Sequence, residues 1–127
     1  MSVTAADFQA FAVRIADAGN EIDFRNAISR SYYAAFHACL PKFVSGDGGL
    51  DQRIGHTAFT AWLQGHAAGT PTRRLGVALN FLRQQRAAAD YTLNRDFKHS
   101  DVETVFGAYG NVMHLLEQAA PSSKASV

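Results

Sequence analysis

This chain has one cysteine, three prolines and no long apolar run. A lone Cys39 cannot close an intramolecular disulfide, and it fits a reducing compartment such as the cytoplasm. Without a run of about 18 apolar residues, no membrane-spanning helix is expected. The opening MSVTAADFQ has no basic stretch followed by an apolar core, so no secretory signal is expected either. Charge of one sign is also lacking. Lys and Arg number 12 against 11 Asp and Glu, for a net charge of +1. Such a balance argues against a strong non-specific pull on nucleic acid or anionic membrane, while leaving room for a local basic patch. Val and Ile are sparse and alternation is weak, which excludes an extensive sheet.

Several kinds of chemistry are missing too. His56 and His66 have no Cys or His partner at zinc-like spacing, so no metal is expected. No glycine-rich loop opens a helix after a strand, which removes the phosphate-loop and dinucleotide fingerprints and with them any expected cofactor. Ser29 and Ser31 near His37 lack the strand-turn-helix context of a hydrolase nucleophile.

What remains is a helical pattern. At 127 residues and 47% hydrophobic content, residues 1–120 suffice for one domain burying roughly two-thirds of its unfolded surface. Residues 121–127, PSSKASV without its neighbours, are small and polar and read as a frayed tail. Thr4 and Asp7 suggest a capping box for a first helix carrying Phe8, Phe11, Ile15 and Ala18, closed by Gly19. Asn20 can cap a second, with Phe24, Ala27, Ile28, Ala35, Cys39 and Phe43 inward. Pro41 predicts a kink or an end near that point, and SGDGG (45–49) a loop. A third helix is expected over about Gln52 to Gln64, using Ile54, Phe59, Trp62 and Leu63. Thr70 before Pro71 is a strong start signal for a fourth, running to about Thr92 with Leu75, Leu79, Leu82 and Ala89 on one seam. Ser100 and Glu103 suggest a capping box for the fifth, which buries Val102, Val105, Phe106, Tyr109, Val112, Met113 and Leu116. Long helices and short links predict an all-α, up-and-down bundle of four to five helices.

Three places break the apolar pattern. Asn26, Arg30, Tyr33 and His37 fall on one stripe of the second helix, with Ser29 beside it. A guanidinium fork and an imidazole on that stripe suit a phosphate; the plainer reading is a solvated edge or an internal polar network. Arg86 shares the heptad-like seam of Leu75, Leu79, Leu82, Ala89 and Leu93. A buried guanidinium is costly unless paired, so Asp90, four residues on, is the local partner, and Tyr91 follows at once. The plainer reading here is a structural Arg–Asp tie. Finally, Arg95, Lys98 and His99 in NRDFKHSD gather three potential cations before a helix N-terminus, where free N–H groups favour an anion. Arg with His could serve phosphodiester cleavage: the imidazole removes a ribose 2′-OH proton and the guanidinium stabilises the phosphorane charge. A polar surface loop is the plainer reading.

The run RNAISRSYYAAFHAC (25–39) resembles the second helix of HEPN-domain proteins. IGHTAF (54–59) resembles the Ser/Gly-His stretch that opens the next helix in one bacterial branch. LNFLRQQRAAADYTL resembles that branch's Leu-x-x-Arg-x-x-Ala-Asp-Tyr helix. The resemblance spans about residues 20 to 117 in order. It implies a four- or five-helix bundle, a homodimer, and metal-independent endoribonuclease activity in toxin–antitoxin or phage-defence systems, often beside a minimal nucleotidyltransferase partner. The implied catalytic signature is Arg, four to six residues, then His, near the junction before the last long helix. Arg95 and His99 have the place but only three residues between them. Arg86 and Tyr91 have the spacing with Tyr in place of His, and tyrosine is a poor base near neutral pH. Arg30 and His37 have the spacing on another helix.

Three functional readings follow. In the first, a dimer acts on RNA, with His99 or else His37 as base and Arg95, Arg86 or Arg30 on the phosphate. In the second, a non-catalytic dimer binds a nucleotidyltransferase partner or a nucleotide. A purely structural helical adaptor is a third. Arg30, Tyr33, His37 and Asp90 form the phosphate-binding or structural network in either of the first two.

Overall fold

The structure is a computed structural model, and it describes residues 2–44 and 50–119. The SGDGG segment and residues 120–127 lie outside the described residues. Five helices follow one another: α1 (Ala5–Ala16), α2 (Glu21–Val44), α3 (His56–Gln64), α4 (Pro71–Tyr91) and α5 (His99–Gln118). No strand occurs among the described residues.

Local signals start and stop these helices. The Thr4 N–H donates to Asp7 Oδ2 at 2.7 Å and the Asp7 N–H to Thr4 Oγ1 at 3.3 Å, a reciprocal capping box. Gly19 takes φ +85°, the left-handed turn that lets the chain reverse after α1. Asn20 Oδ1 then accepts from the Asp23 N–H at 3.1 Å. Thr70 Oγ1 accepts from the Arg73 N–H at 3.2 Å, with Pro71 at the first helical position.

The end of α2 expected near Pro41 comes three residues on, at Val44; three other boundary expectations need correction. Proline forfeits one backbone bond, and the last turn is held instead by the fully buried Phe43 and by Lys42 Nζ, which donates to the Leu116 carbonyl. α3 starts at His56 rather than Gln52, because Asp51 folds the preceding residues into a turn. Its carboxylate accepts from the Arg53 N–H at 2.9 Å and its carbonyl from the Ile54 N–H at 2.9 Å. The N-cap of α5 is Lys98 rather than Ser100, and its N–H donates to Oδ2 of Asp101, in the third helical position, at 2.8 Å. Glu103, expected in that role, turns to the His99 ring. Leu93 leaves the leucine seam: α4 stops at Tyr91, and Leu93 is 79% exposed.

α2, α4 and α5 pack against one another, α1 packs on α2, and α3 on α4. The contacts set the directions. Arg25 of α2 reaches Ala89 of α4, while Tyr32, two turns on, meets Arg86. These two helices are therefore antiparallel. Glu21 bonds the Phe97 N–H at the start of α5, and Lys42 the Leu116 carbonyl at its end, so α2 and α5 run parallel. The core is the axis of this trio: Ile28, Tyr32, Ala35, Cys39, Leu75, Leu79, Leu82, Val102, Val105 and Val112 are essentially inaccessible. Burial pushes the Cys39 thiol up to about 12, so it packs as a small apolar group. Several residues expected inside, Phe106, Tyr109, Met113 and Leu116, are only partly buried, and Phe11 is 41% exposed. Ala12 and Ala16 are the buried residues of α1 instead. No helix among the described residues is long and apolar enough to cross a membrane.

Candidate functional site

The most buried arginine is Arg25, which the sequence pattern did not single out; it is 7% exposed. Its Nη1 donates to the carbonyls of Ala89 (2.9 Å) and Thr92 (3.2 Å), and its Nη2 to those of Leu93 (3.3 Å) and Arg95 (2.5 Å). Its Nε donates to Glu21 Oε2 at 3.1 Å, and the guanidinium lies 4.8 Å from the centre of the Phe97 ring. The free carbonyls at the end of α4 and in the link to α5 thus converge on one fork. Arg25 fixes the junction and leaves no donor for a guest.

One α4 turn before that junction lies Arg86. It points where the leucines point, as its register requires, and its side chain is 14% exposed. Its guanidinium carbon sits 5.6 Å from the ring centres of Tyr32 and Tyr33 and 5.9 Å from that of Tyr91. Nη1 pairs with Asp90 Oδ2 at 3.5 Å, and the Ser29 hydroxyl donates to the same oxygen at 3.3 Å. Nε is buried with no hydrogen-bond partner among the described residues. A guanidinium faced by three phenols and one distant carboxylate keeps much of its charge uncompensated.

Tyr33 extends this cluster outward. Arg30 places its guanidinium carbon 5.2 Å from the centre of the same ring, and His37 stacks near it at 6.4 Å. The expected stripe is thus real: Asn26 and His37 are exposed, and Arg30 and Tyr33 half-buried, along one side of α2. His37 also stacks on Phe8 of α1, at 5.7 Å and 20°.

His56 completes the cluster from α3. As the first residue of that helix, it is carried to Tyr32, whose hydroxyl shares a 2.6 Å hydrogen bond with His56 Nδ1. The Phe36 ring is 4.1 Å away, centre to centre. Burial first, and then the nearby charges of Arg86, His37 and Arg83, hold His56 below the ordinary imidazole range. Burial raises the Tyr32 phenol well above its usual value. Near neutral pH this pair is an uncharged phenol against an uncharged imidazole, with a proton available on one of the two for exchange.

Arg95 and His99 do lie at one junction, but each faces an acid. Arg95 Nη2 pairs with Asp101 Oδ1 at 3.5 Å, and its guanidinium lies 4.2 Å from the centre of the Phe97 ring. His99 Nδ1 meets Glu103 Oε1 at 3.2 Å, with its ring edge on Phe24. Lys98, the third cation expected here, is exposed.

The structure therefore gathers Arg30, Tyr33, His37, Arg86, Asp90 and Tyr91 around one aromatic patch and leaves Arg95 and His99 with the α5 cap. Sequence reasoning missed Arg25 and His56. For Arg25, an inward helical register after Glu21 was the available signal. For His56, the available signal was its place in the IGHTAF run, but its partner lies 24 residues away. Among the described residues no three His, Cys, Asp or Glu side chains are placed to hold a metal ion. Comparison of the chain with protein-family models, curated proteins and solved structures gave no match.

Proposed function

We propose that this chain is a HEPN-like helical protein that acts on RNA, meeting its phosphates at the Arg86–Tyr33–Arg30 patch. One observation carries this reading. Two guanidiniums lie against one tyrosine ring, at 5.2 and 5.6 Å, and among the described residues Asp90 is the one carboxylate that pairs with either. Guanidinium forks recognise phosphate bidentately, and exposed aromatic rings such as Tyr91 stack unpaired bases. A balanced net charge is compatible with such a local patch. In the catalytic form of this reading, His99 accepts the 2′-OH proton as the 2′-oxygen attacks phosphorus, Arg95 steadies the phosphorane, and the P–O5′ bond breaks with the 5′-oxygen protonated by water, leaving a 2′,3′-cyclic phosphate without a metal.

The second reading is a non-catalytic dimer that docks a nucleotidyltransferase partner. The pairing of Arg95 with Asp101 and of His99 with Glu103 favours it, since both catalytic candidates are already occupied by acids. Incubation of the purified full chain with single-stranded RNA in excess chelator separates the two. Cleavage to cyclic-phosphate ends, lost in His99→Ala, is the catalytic outcome. Binding without cleavage, weakened in Arg86→Gln, is the binding outcome. RNA neither bound nor cut defeats the RNA-directed reading.

A further inference from the structure

Because α2 runs antiparallel to α4 and parallel to α5, α4 and α5 are antiparallel, and the start of α4 lies beside the end of α5. Between these two helices is an open groove of about 630 Å³. That volume lies within the roughly 300–1,000 Å³ typical of small-molecule sites. Val77, Ala78 and Phe81 of α4, with Ala108 and Leu115 of α5, give it apolar walls. Val77 is 56% exposed and Phe81 only partly buried. Arg74, His114 and Gln118 close the end where α4 starts and α5 stops, and Asn111 borders the middle.

This groove holds a cation and, among the described residues, no acid. Arg74 Nη2 donates to the Gly69 carbonyl at 2.6 Å, which fixes the guanidinium, while Nη1 and Nε have no acceptor among the described residues. With the Gln118 amide donating to His114 Nε2 at 3.2 Å, that ring carries its proton on Nδ1 as a second donor. Other grooves on the described surface are balanced. Asp7 lines the α1–α2 groove together with Arg30, and Arg53, in the groove beside Pro41, is held by Asp51 at 3.0 Å. Apolar walls with an unmatched charge at one end select an amphiphile of the opposite charge.

From this we infer that the α4–α5 groove binds a monocarboxylate with an apolar tail, its carboxylate on Arg74 and His114 and its tail along Val77, Ala78 and Phe81. The planar guanidinium fork matches a carboxylate. From Arg74 to Phe81 the helix rises about 10 Å, which an extended chain of about eight carbons matches. A sugar or a free phosphate would leave the apolar walls uncovered, and a plain hydrocarbon would leave Arg74 unmatched. The groove shares no residue with the Arg86–Tyr33–Arg30 patch, so this inference stands apart from the RNA-directed reading.

The test is a nuclear magnetic resonance titration of the full chain with butyrate, hexanoate, octanoate and 1-octanol. Octanoate is expected to shift backbone amides of residues 74–81 and 108–118 and to saturate with a Kd tighter than about 1 mM. Each methylene added from butyrate to octanoate should tighten binding about twofold to threefold, since the groove is open on one side. 1-Octanol should bind about tenfold more weakly than octanoate, for want of the charge-assisted contact. Arg74→Gln should weaken octanoate by about the same factor, leaving 1-octanol unchanged. Val77→Asp, at an exposed position, sets a like charge against the carboxylate and gives the same loss should Arg74→Gln misfold. Arg14→Gln, on α1, should change nothing. Groove shifts from octanoate that are lost in the two α4 variants support the inference. Equal binding of octanoate and 1-octanol, octanoate binding undiminished in Arg74→Gln, or shifts centred on the exposed Phe11, Ile22 and Leu93 overturn it. Groove amides that move on dilution of the protein and ignore octanoate also overturn it, in favour of a second copy of the chain on this face.

Discussion

The guanidinium carbon of Arg86 lies 5.6 Å from the centre of the Tyr33 ring, and Arg30 approaches the same ring at 5.2 Å. Tyr33 is therefore the shared wall of a half-buried and a more accessible cation. Two like charges at one ring are a poor choice for stability alone, since a structural role needs one arginine and its acid.

That argument separates stability from binding at Arg86. Among the described residues its Nε has no acceptor and its one ion pair is long at 3.5 Å, so little favourable electrostatics offsets its burial. Replacing a buried ion pair with apolar chains of similar volume is often neutral, whereas removing one partner is costly only where the other is left buried; Asp90 is 29% exposed. Arg86→Met is expected to change unfolding free energy by less than about 1 kcal/mol, with Asp90 still partly hydrated and bonded to Ser29. RNA binding in the same variant should fall at least about tenfold. Denaturant melts beside binding titrations check both halves, and a large loss of stability with binding retained would make Arg86 structural.

Arg25 should behave in the opposite way. Its fork satisfies four carbonyls at the α4–α5 junction and is 7% exposed. Arg25→Ala is expected to cost about 3 kcal/mol, lowering the thermal midpoint by roughly 10 °C. Arg25→Lys should recover little, because one ammonium cannot span carbonyls that sit on different turns. Amide exchange in residues 92–98 should rise more than exchange in α1, which would show that the damage is local to the junction.

The contrast between these arginines also explains what could be read from the chain. Heptad spacing placed Leu75, Leu79, Leu82 and Arg86 on one face, and all four point inward. Caps at Thr4, Asn20 and Thr70 were visible because their chemistry is local, three residues or fewer. The partners of Arg25 and His56 were invisible for the converse reason. The carbonyls that hold Arg25 lie 64 to 70 positions away, and backbone carbonyls leave no mark in a residue pattern. The α5 cap was misplaced by two residues because KHSDVE offers two overlapping i, i+3 pairs, Lys98 with Asp101 and Ser100 with Glu103, and Asp101 accepts from the Lys98 N–H. Five helices and most of the core were legible; the partner of each polar side chain was legible only within about one turn.

Glycines give a test of packing free of charge. Gly76 lies where α4 crosses α3, and a Cβ there would sit 2.7 Å from Leu63 Cβ and 2.8 Å from the Gln64 backbone nitrogen. Gly76→Ala should therefore destabilise by about 1–3 kcal/mol, despite the gain in helix propensity. Gly107 and Gly110 of α5 face open space. Alanine at either should stabilise by about 0.5–1 kcal/mol. Urea midpoints of the three single variants decide it, and stabilisation by Gly76→Ala would refute the close crossing of α3 and α4.

The pH dependence of folding should report on His56. Its folded value lies below the ordinary one, because burial and the charge of Arg86 disfavour the imidazolium. The unfolded chain thus binds this proton more readily than the native one. Stability linked to His56 is complete above the unfolded value of about 6.5. It declines as pH falls through that value toward the lower folded one. The Tyr32 hydroxyl sharpens the effect, since protonation at Nδ1 leaves the bond only as a donation to the phenol oxygen, beside a cation. His56→Gln is expected to flatten the wild-type loss of stability between about pH 6.5 and 5, at some cost near neutrality from the altered contact with Phe36. Chemical melts at stepped pH measure the slope. Parallel slopes for both proteins would mean that His56 titrates as freely in the fold as out of it, and that the short bond to Tyr32 does not hold it neutral.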